Sequence, residues 1–506
     1  MFSSVKEIMK LRFNYLGYQI LSKYSTRSTQ KAICDQSRKI SYPTFGQPTY
    51  LTHPHLMKEG EVVPGIHLQE FKSRRSKLLE RIIRNNSVLK NPTLTHVVII
   101  PSSSTVYMSD KIPYVFRQNS DFLYFSGCQE PDSILLLTAK GDNFSSTIFM
   151  RKKDAHSELW DGPRTGVEAA ASLFGVDQAL PVGEFERFFI SFVNENNKSM
   201  IWYDSANIIQ SELHRKLMQL IKIADNQMFN CPKTMFHQIR SIKSKAEIAL
   251  MQKSCDIASE AIAKTISVSR PGMSEHQLFA TVDYESRMRG AEFLAYPPVV
   301  AGGKNACTIH YIKSNQIIKD GDMVLMDAGC EYHGYTSDIT RTWPTNGTFS
   351  PQQRVLYEII LEVQKEMIQK MKEMPTLDQV FQEMCLILGK KLQEINLIPK
   401  NFGGEKLVAA AYNYCPHHVS HYLGMDVHDT GKVSRGLTVQ PGMIVTVEPG
   451  VYVSSKNQFA PPEFHNLGIR IEDDVLIQDG EPLVLSRKCP KEILDIEALA
   501  KENQTS

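Results

Sequence analysis

Five side chains that can bind metal ions lie in five short segments of the C-terminal half of the chain. In sequence order they are Asp327, Asp338, His421, Glu448 and Glu472. Four carboxylates and one imidazole form a hard, oxygen-rich donor set, and four negative charges balance two divalent cations better than one. A pair of bound cations can activate water for the hydrolysis of a substrate. These residue types therefore predict a two-metal hydrolase.

The two aspartates lie in segments that are typical of a β-hairpin. MVLMDAGCEYH and GYTSDITRTW are rich in β-branched and aromatic residues, and they meet near His333. A turn centred between Tyr332 and His333 would place Asp327 directly opposite Asp338, with Cβ atoms about 4.5–5.5 Å apart. Metal ions in two-metal sites lie roughly 3.5–4 Å apart. We therefore expect this pair of carboxylates to contact both cations.

The two glutamates also lie in strand-like segments. Glu448 ends the apolar run GMIVTVE, immediately before Pro449, and the end of a strand beside a turn is well placed to line a site. Arg470 and Glu472 are two residues apart in GIRIEDDVLI, so their side chains point to the same face of a strand. The spacing thus predicts a basic group beside an acidic ligand.

The composition is that of an ordinary globular chain. With 506 residues, 42% hydrophobic and 22% charged, it is long enough for two or more domains. Its apolar runs are much shorter than the roughly 18 residues needed to cross a membrane, so we expect no membrane partner. The net charge is +2 for the chain but +6 for residues 1–40, which leaves −4 on the rest. Without a basic stripe outside that leader, no nucleic-acid partner is expected.

Residues 1–40 are predicted to be a mitochondrial transit peptide. They contain eight basic and two acidic residues, several serines and scattered apolar residues, whereas a secretory signal needs a continuous apolar stretch. A disordered basic tail is the alternative interpretation. The nine cysteines form no C-x-x-C pair, which favours free thiols in a reducing compartment. We expect location in the mitochondrial matrix, with a cytosolic pool left open.

The sequence pattern divides the remaining chain into four parts. Residues 41–64 are predicted to be a linker. Residues 65–235 alternate between helix-like and strand-like runs, which predicts an N-terminal α/β domain. Residues 240–490 contain the five metal-ligand candidates and are predicted to form the catalytic domain. Residues 491–506 are predicted to be a C-terminal tail.

The catalytic region has two halves with the same layout. Ser244 with Glu247, and Ser350 with Gln353, form the capping-box pattern that begins a helix. In each half two helices precede strands, and these strands carry two carboxylates: aspartates in the first half and glutamates in the second. This layout predicts a pseudo-twofold α/β (α+β) domain that closes over a central metal site. The sequence identity between the two halves is too low to establish a repeat by itself.

The motifs MDAG, SDITR, HHVSHYLGMDVHD, VEPG and RIEDD resemble those of the pita-bread metallopeptidases, which include aminopeptidase P, prolidase and methionine aminopeptidase. The resemblance covers roughly residues 240–490. Upstream, FRQNSDFLYFSGCQEPDS and ELWDGPR resemble the N-terminal domain of aminopeptidase P. Together with the leader, the chain is similar to the mitochondrial Xaa-Pro aminopeptidases of this family.

This resemblance implies a dinuclear metallo-aminopeptidase that removes the N-terminal residue from peptides with proline in the second position. A hydroxide between two cations would attack the peptide bond, and Mn²⁺ is favoured over Co²⁺ and Zn²⁺ by the oxygen-rich ligands. A homodimer is also implied. The implied metal ligands are Asp327, Asp338, which is expected to bridge, His421, Glu448 and Glu472. The implied catalytic residues are His310, His417, His428, Glu448 and Arg470, and the substrate-binding residues are Tyr296, His310 and His428.

Two points remain open at the level of sequence. His417 is preferred to His418 as the active-site histidine because it lies four residues before His421. An Xaa-Pro dipeptidase would share the fold, the metals and the chemistry, and would differ in a site closed to longer peptides. A noncatalytic binding protein on the same fold would keep no metal, and the five filled ligand positions argue against it.

Overall fold

A computed structural model describes residues 44–85, 94–196, 198–223 and 228–501. The predicted transit peptide, residues 1–40, lies outside the described residues. From residue 45 onward the chain forms one compact unit. No helix among the described residues is long and apolar enough to span a membrane, and the eight cysteines that the structure describes are free thiols, as expected.

The helices and strands of both domains are numbered separately in chain order. The helices are α1 (Leu68–Asn85), α2 (Ser120–Ser126), α3 (Ala155–Asp161), α4 (Gly166–Phe174), α5 (Phe185–Glu195), α6 (Ser211–Ile223), α7 (Lys233–Arg240), α8 (Lys245–Val268), α9 (Glu275–Met288), α10 (Pro351–Lys370), α11 (Leu377–Glu394), α12 (Gly404–Tyr412) and α13 (Ile493–Lys501). The strands are β1 (Glu61–Val63), β2 (Ile66–His67), β3 (Thr95–Pro101), β4 (Tyr107–Ser109), β5 (Ile112–Pro113), β6 (Ile134–Lys140), β7 (Asn143–Met150), β8 (Gln178–Pro181), β9 (Ser199–Trp202), β10 (Met228–Asn230), β11 (Phe293–Leu294), β12 (Val299–Gly302), β13 (Met323–Ala328), β14 (Cys330–Tyr332), β15 (Tyr335–Thr336), β16 (Ile339–Pro344), β17 (Ile444–Val447), β18 (Gly450–Val453), β19 (Leu467–Arg470), β20 (Asp473–Leu476) and β21 (Leu483–Val484).

The N-terminal domain is built on a six-stranded mixed sheet, in the order β10-β9-β3-β6-β7-β8. Its central strand β3 is buried along its whole length. Val98 and Ile100 of β3 belong to one apolar cluster, while Val97 and Ile99 belong to another. Since alternate residues of a strand point to opposite faces, the sheet is covered on both faces. This arrangement agrees with the predicted α/β domain.

Both boundary segments are packed more tightly than the sequence suggested. In the predicted linker, Gln47 is buried and its amide donates to the carbonyl oxygens of Val62 and Gly127. At the other end, α13 places Ile493 and Ile496 in the apolar core of the catalytic domain. Gln47 therefore packs against the N-terminal domain, and Ile493 and Ile496 pack against the catalytic domain.

The two halves of the catalytic domain have the predicted order of elements. In the first half α8 and α9 precede the sheets β11-β14-β15 and β12-β13-β16. In the second half α10 and α11 precede β17-β20-β21 and β18-β19. Each of these four helices begins with a complete capping box, at Ser244, Ser274, Ser350 and Thr376. These side chains satisfy backbone donors that the helix itself leaves unpaired.

The predicted register of the aspartate hairpin is wrong by two residues. Asp327 pairs with Thr340 rather than with Asp338. The cause is a turn at His333 and Gly334, whose φ angles of 49° and 83° are both left-handed, as a two-residue type I′ turn requires. Asp338 precedes Thr340 by two residues, so it becomes a diagonal neighbour of Asp327 instead of its direct partner.

Candidate metal centre

Asp327 and Asp338 meet at a tyrosine hydroxyl. The Tyr296 hydroxyl oxygen lies 2.5 Å from Asp327 Oδ1 and 2.6 Å from Asp338 Oδ1. Asp327 belongs to β13, and Asp338 lies between β15 and β16. A hydroxyl has one hydrogen to donate, so both short contacts require either a proton or a cation shared between the carboxylates. Tyr296, predicted as a substrate-binding residue, thus contacts two of the metal-ligand candidates directly.

The other three predicted ligands surround Asp338. His421 Nε2 lies 3.4 Å from Asp338 Oδ2 and 3.7 Å from Glu448 Oε1. One donor atom each of Asp338, His421 and Glu472 lie within 4.8 Å of one another. Glu448 follows β17, and Glu472 lies between β19 and β20, so both are held at strand ends. All five predicted ligands therefore meet in one place.

Arg470 organises two of these carboxylates. Its Nη2 lies 2.6 Å from Asp327 Oδ2, its Nη1 donates to the Tyr452 hydroxyl at 2.8 Å, and its Nε donates to Thr340 Oγ1 at 3.1 Å. The Thr340 hydroxyl in turn donates to Glu472 Oε2 at 2.6 Å. The guanidinium is almost completely buried. It therefore fixes one aspartate directly and one glutamate through a threonine.

His417 belongs to the site and His418 does not. His417 Nε2 lies 3.0 Å from the Tyr452 hydroxyl, and its Nδ1 lies 2.8 Å from the carbonyl oxygen of His418. Since the carbonyl can only accept, the proton of His417 is on Nδ1 and the Tyr452 hydroxyl donates to Nε2. His417 Nδ1 is also 3.8 Å from Glu448 Oε2, whereas the His418 ring packs 4.8 Å from that of Phe381.

The pKa values of two histidine rings in the site, those of His417 and His428, are lowered, which favours their neutral forms. Burial and the charge of Arg470 lower the pKa of His417 to about 4. Burial also lowers the pKa of His428, and His421 and His310 act in the same direction. The ring centroids of His428 and His421 are 4.6 Å apart. A neutral imidazole can donate one hydrogen bond to a substrate oxygen.

The electrostatics of the site fit divalent cations. Burial raises the pKa of Asp338 and Glu472 well above the usual range for carboxyl groups, and that of Glu448 to about 7. Repulsion between the neighbouring carboxylates adds to the shift in each case. Without metal, the ionised carboxylates of the site would carry more negative charge than Arg470 alone can stabilise. The mainly carboxylate donor set suits two divalent ions and gives each the oxygen ligands that such ions prefer.

Several supporting residues were missed at the level of sequence. Thr340 and Tyr452 link Arg470 to its neighbours, as described above. Asp474 accepts a hydrogen bond from the backbone N–H of Asp338 at 3.0 Å and another from the Cys255 thiol at 3.1 Å. Thr340 follows Asp338 by two residues, and Asp474 follows Glu472 by two. This i, i+2 spacing, which places side chains on one face of a strand, was a usable signal.

The segment that carries His428 is anchored to the N-terminal domain. Asp429, the next residue, is buried and forms ion pairs with Arg240 and Lys243. Arg240 also pairs with Asp121 of α2, at 2.5 Å. The two partners of each ion pair lie far apart in sequence, so no local sequence pattern indicated these contacts. They couple the position of the His428 backbone to packing between the domains.

Comparisons with known proteins agree with this geometry. Models of metallopeptidase family M24 and of the aminopeptidase P N-terminal domain match residues 249–479 and 71–202. Xaa-Pro aminopeptidase 3 of Mus musculus is 43% identical over 91% of this chain and 92% of its own length. Intermediate cleaving peptidase 55, mitochondrial, of Arabidopsis thaliana is 39% identical over 90% of this chain and 87% of its own. Aminopeptidase P from E. coli with the inhibitor Pro-Leu superimposes with a TM-score of 0.79 at 32% identity, covering 87% of this chain and 100% of that one. The predicted resemblance and fold class are confirmed.

Proposed function

This chain belongs to metallopeptidase family M24, and we propose that it is an Xaa-Pro aminopeptidase that removes the N-terminal residue from peptides with proline in the second position. One observation carries the proposal: the five candidate ligands lie together beside His417, His428 and the buried Arg470. The relatives at 43% identity are named Xaa-Pro aminopeptidases, and they match over almost the whole chain.

We propose that Asp327, Asp338, His421, Glu448 and Glu472 hold two divalent ions, with Asp338 as a bridging ligand. When bound, such ions act as Lewis acids that lower the pKa of water and polarise a carbonyl group. Manganese is the proposed native ion because four of the five ligands are carboxylates, whereas zinc prefers nitrogen and sulfur ligands. Cobalt and zinc are the alternatives.

The remaining groups divide the work of hydrolysis among themselves. Glu448 is placed to accept the proton of the attacking water, since its carboxylate lies close to both His417 and His421. His428, neutral and open to solvent, is placed to donate a hydrogen bond to the oxygen of the scissile carbonyl. Arg470 and Tyr452 keep His417 oriented toward the site.

The bond to proline places a specific demand on the site. The nitrogen of an Xaa-Pro bond carries no hydrogen, so the enzyme cannot recognise it through an N–H donor. We propose that Tyr296 and His310 contact the substrate on either side of this bond. An Xaa-Pro dipeptidase is the second candidate, because it would use the same ligands and histidines. Cleavage of a tripeptide with proline in the second position distinguishes the aminopeptidase from it.

We propose that residues 1–40 direct the enzyme to the mitochondrial matrix; a relative named as a mitochondrial peptidase supports the mitochondrial location. Fused to a fluorescent protein, these residues are expected to carry it into mitochondria. The chain starting at Tyr42 is expected to keep peptidase activity and to stay in the cytosol. A leader with its basic residues replaced by glutamine is the control. A diffuse reporter, or a truncated chain that still reaches mitochondria, would refute the transit-peptide interpretation and favour that of a basic tail.

We propose that the enzyme is a homodimer joined through the β4–β5 hairpin. The large apolar side chains exposed there are Val106, Tyr107, Met108, Ile112, Tyr114 and Val115. Apolar patches of this kind are usually covered by another protein surface. Light scattering is expected to give the dimer mass for the wild type and the monomer mass for Tyr107→Ser/Val115→Ser. Phe459→Ser, at an exposed apolar residue elsewhere, should stay dimeric. A monomeric wild type would refute the proposal.

A further inference from the structure

The carboxylate of Glu275, the first residue of α9, is completely buried and accepts four hydrogen bonds. Its Oε1 accepts the backbone N–H of Gly302 at 2.8 Å and the side-chain amide of Asn305 at 2.8 Å. Its Oε2 accepts the Tyr311 hydroxyl at 2.8 Å and the backbone N–H of Gln316 at 3.0 Å. Gly302 is the last residue of β12, and the other three partners lie in the segment between β12 and β13.

This segment has little regular structure of its own. After the 3₁₀ helix Gly303–Cys307, residues 308–310 form a bend and a turn, and residues 311–315 have no regular secondary structure. Irregular backbone needs partners outside itself to keep one conformation. Glu275 provides such partners. It accepts the backbone N–H groups of Gly302 and Gln316 at the two ends of the segment, and the side chains of Asn305 and Tyr311 between them. One buried side chain thus closes the whole loop, which we call the His310 loop (residues 303–316).

The neighbours of His310 are pinned on one side of the loop. Ile309 and Tyr311 pack against an apolar cluster of Val299, Ala301, Ala306, Leu325 and Tyr452. His310 lies between these two anchored residues, and its own side chain is exposed. The cluster includes Tyr452, whose hydroxyl bonds to His417 and Arg470. The loop is therefore built against the same side chains that orient the metal centre.

We infer that Glu275 is a positioning residue for His310. It does not touch the substrate; it fixes the loop so that the imidazole of His310 stands at the mouth of the site. The inference rests on the proposed peptidase function, because it assigns to His310 a contact with the substrate. It extends that function to a carboxylate that lies outside the metal-ligand set.

Glu275→Gln tests this role with the smallest change of shape. An amide replaces one acceptor oxygen by a donor, so two of the four partners lose their acceptor. We expect kcat/KM for an Xaa-Pro peptide to fall about 10-fold or more, since two buried donors lose their acceptor and the loop becomes less ordered. The metal content should stay at that of the wild type. Glu285→Gln, on the same helix but in a partly buried ion pair with Arg289 away from the His310 loop, is the matched control and should be unchanged.

A double-mutant cycle with His310 separates positioning from general stability. If Glu275 acts through His310, Glu275→Gln should cost less than about 2-fold in a His310→Ala background, because coupled residues are strongly non-additive. Tyr311→Phe removes one of the four donors and should give an intermediate loss in the wild-type background. An equal cost of Glu275→Gln in both backgrounds would overturn the inference. Loss of bound metal would also overturn it, since β12 pairs Val299 with the ligand Asp327.

Hydrogen exchange gives a readout that does not depend on activity. The amides of the His310 loop are expected to exchange faster in Glu275→Gln than in the wild type or in Glu285→Gln, with the rest of the catalytic domain unchanged. Unchanged exchange in the loop would refute the positioning role. A wild-type enzyme that fails to cleave Xaa-Pro peptides would instead refute the proposed function, and the exchange result would still decide whether Glu275 orders the loop.

Discussion

Asp338→Ala is expected to lose both bound metal ions. Its kcat is expected to fall by ~1000-fold or more, which is at least the upper range for the loss of one oxyanion donor. Asp338 is the proposed bridging ligand, and it lies among the other candidates: its Oδ1 contacts Tyr296 and its Oδ2 faces His421. The fold should survive, because the substitution removes one of four carboxylates that repel one another without metal. Metal analysis of the purified variant, beside its rate on an Xaa-Pro peptide, measures both effects.

Two further variants sharpen this test. Asp338→Asn keeps the shape and removes the charge, so it should also lose activity if charge is what holds the cations. Asp320→Ala, at an exposed aspartate in the turn before β13, should keep full activity and both metals. Two metals per chain and normal turnover in Asp338→Ala would reject the bimetal assignment, whatever the stability of the variant.

His428→Ala is expected to keep both metals and to lose about 100-fold or more in kcat, the magnitude of one lost oxyanion donor. The lowered pKa of His428 keeps its ring neutral, so it can donate a hydrogen bond at neutral pH. Because this bond strengthens as negative charge develops on the carbonyl oxygen, kcat should fall more than KM rises. Steady-state kinetics with metal analysis of the same preparation separates these quantities.

His418→Ala is the matched control for this histidine. It lies in the same histidine-rich segment but packs against Phe381 instead of the metal centre. Its turnover should remain close to that of the wild type. If His428→Ala loses metal but keeps its turnover per bound metal, then His428 supports a ligand and does not act on the substrate.

The helices of the catalytic domain could be predicted from the sequence because their start signals are local. Ser244 with Glu247, and Ser350 with Gln353, form capping boxes in the structure as the letters indicated. The closeness of the five candidate ligands could also be predicted, since four acids and a histidine in these segments form an unusual set. A capping box depends on residues three positions apart, and a candidate ligand is recognised by its residue type. Both features can be read from a single sequence.

The register of the aspartate hairpin could not be obtained in the same way. It depends on which two residues take left-handed φ angles, and a histidine at that position is a weak signal beside Gly334. Gly329 adds a constraint visible only in three dimensions: a Cβ there would lie 1.7 Å from the carbonyl oxygen of Ser337. The aspartates therefore meet through Tyr296 and not as a direct cross-strand pair.

The supporting network was hidden for a different reason. Arg470 contacts Asp327 and Thr340, which precede it by more than a hundred residues. The buried partners of Asp429, namely Arg240 and Lys243, lie at the junction of the two domains. Contacts at such separations are set by the packing of the two halves, so residue spacing indicates which side chains share a strand face but not which distant side chains they contact.

The products formed from Xaa-Pro peptides of increasing length test the central claim most directly. With manganese present, mass spectrometry is expected to show release of one free N-terminal residue from Xaa-Pro-Yaa and from each longer peptide, leaving a product that begins with proline. Peptides with alanine in the second position serve as the control and should be cleaved far more slowly. Cleavage of the Xaa-Pro dipeptide alone would identify a dipeptidase, and no cleavage by protein that holds two metals per chain would contradict the assignment of a peptidase.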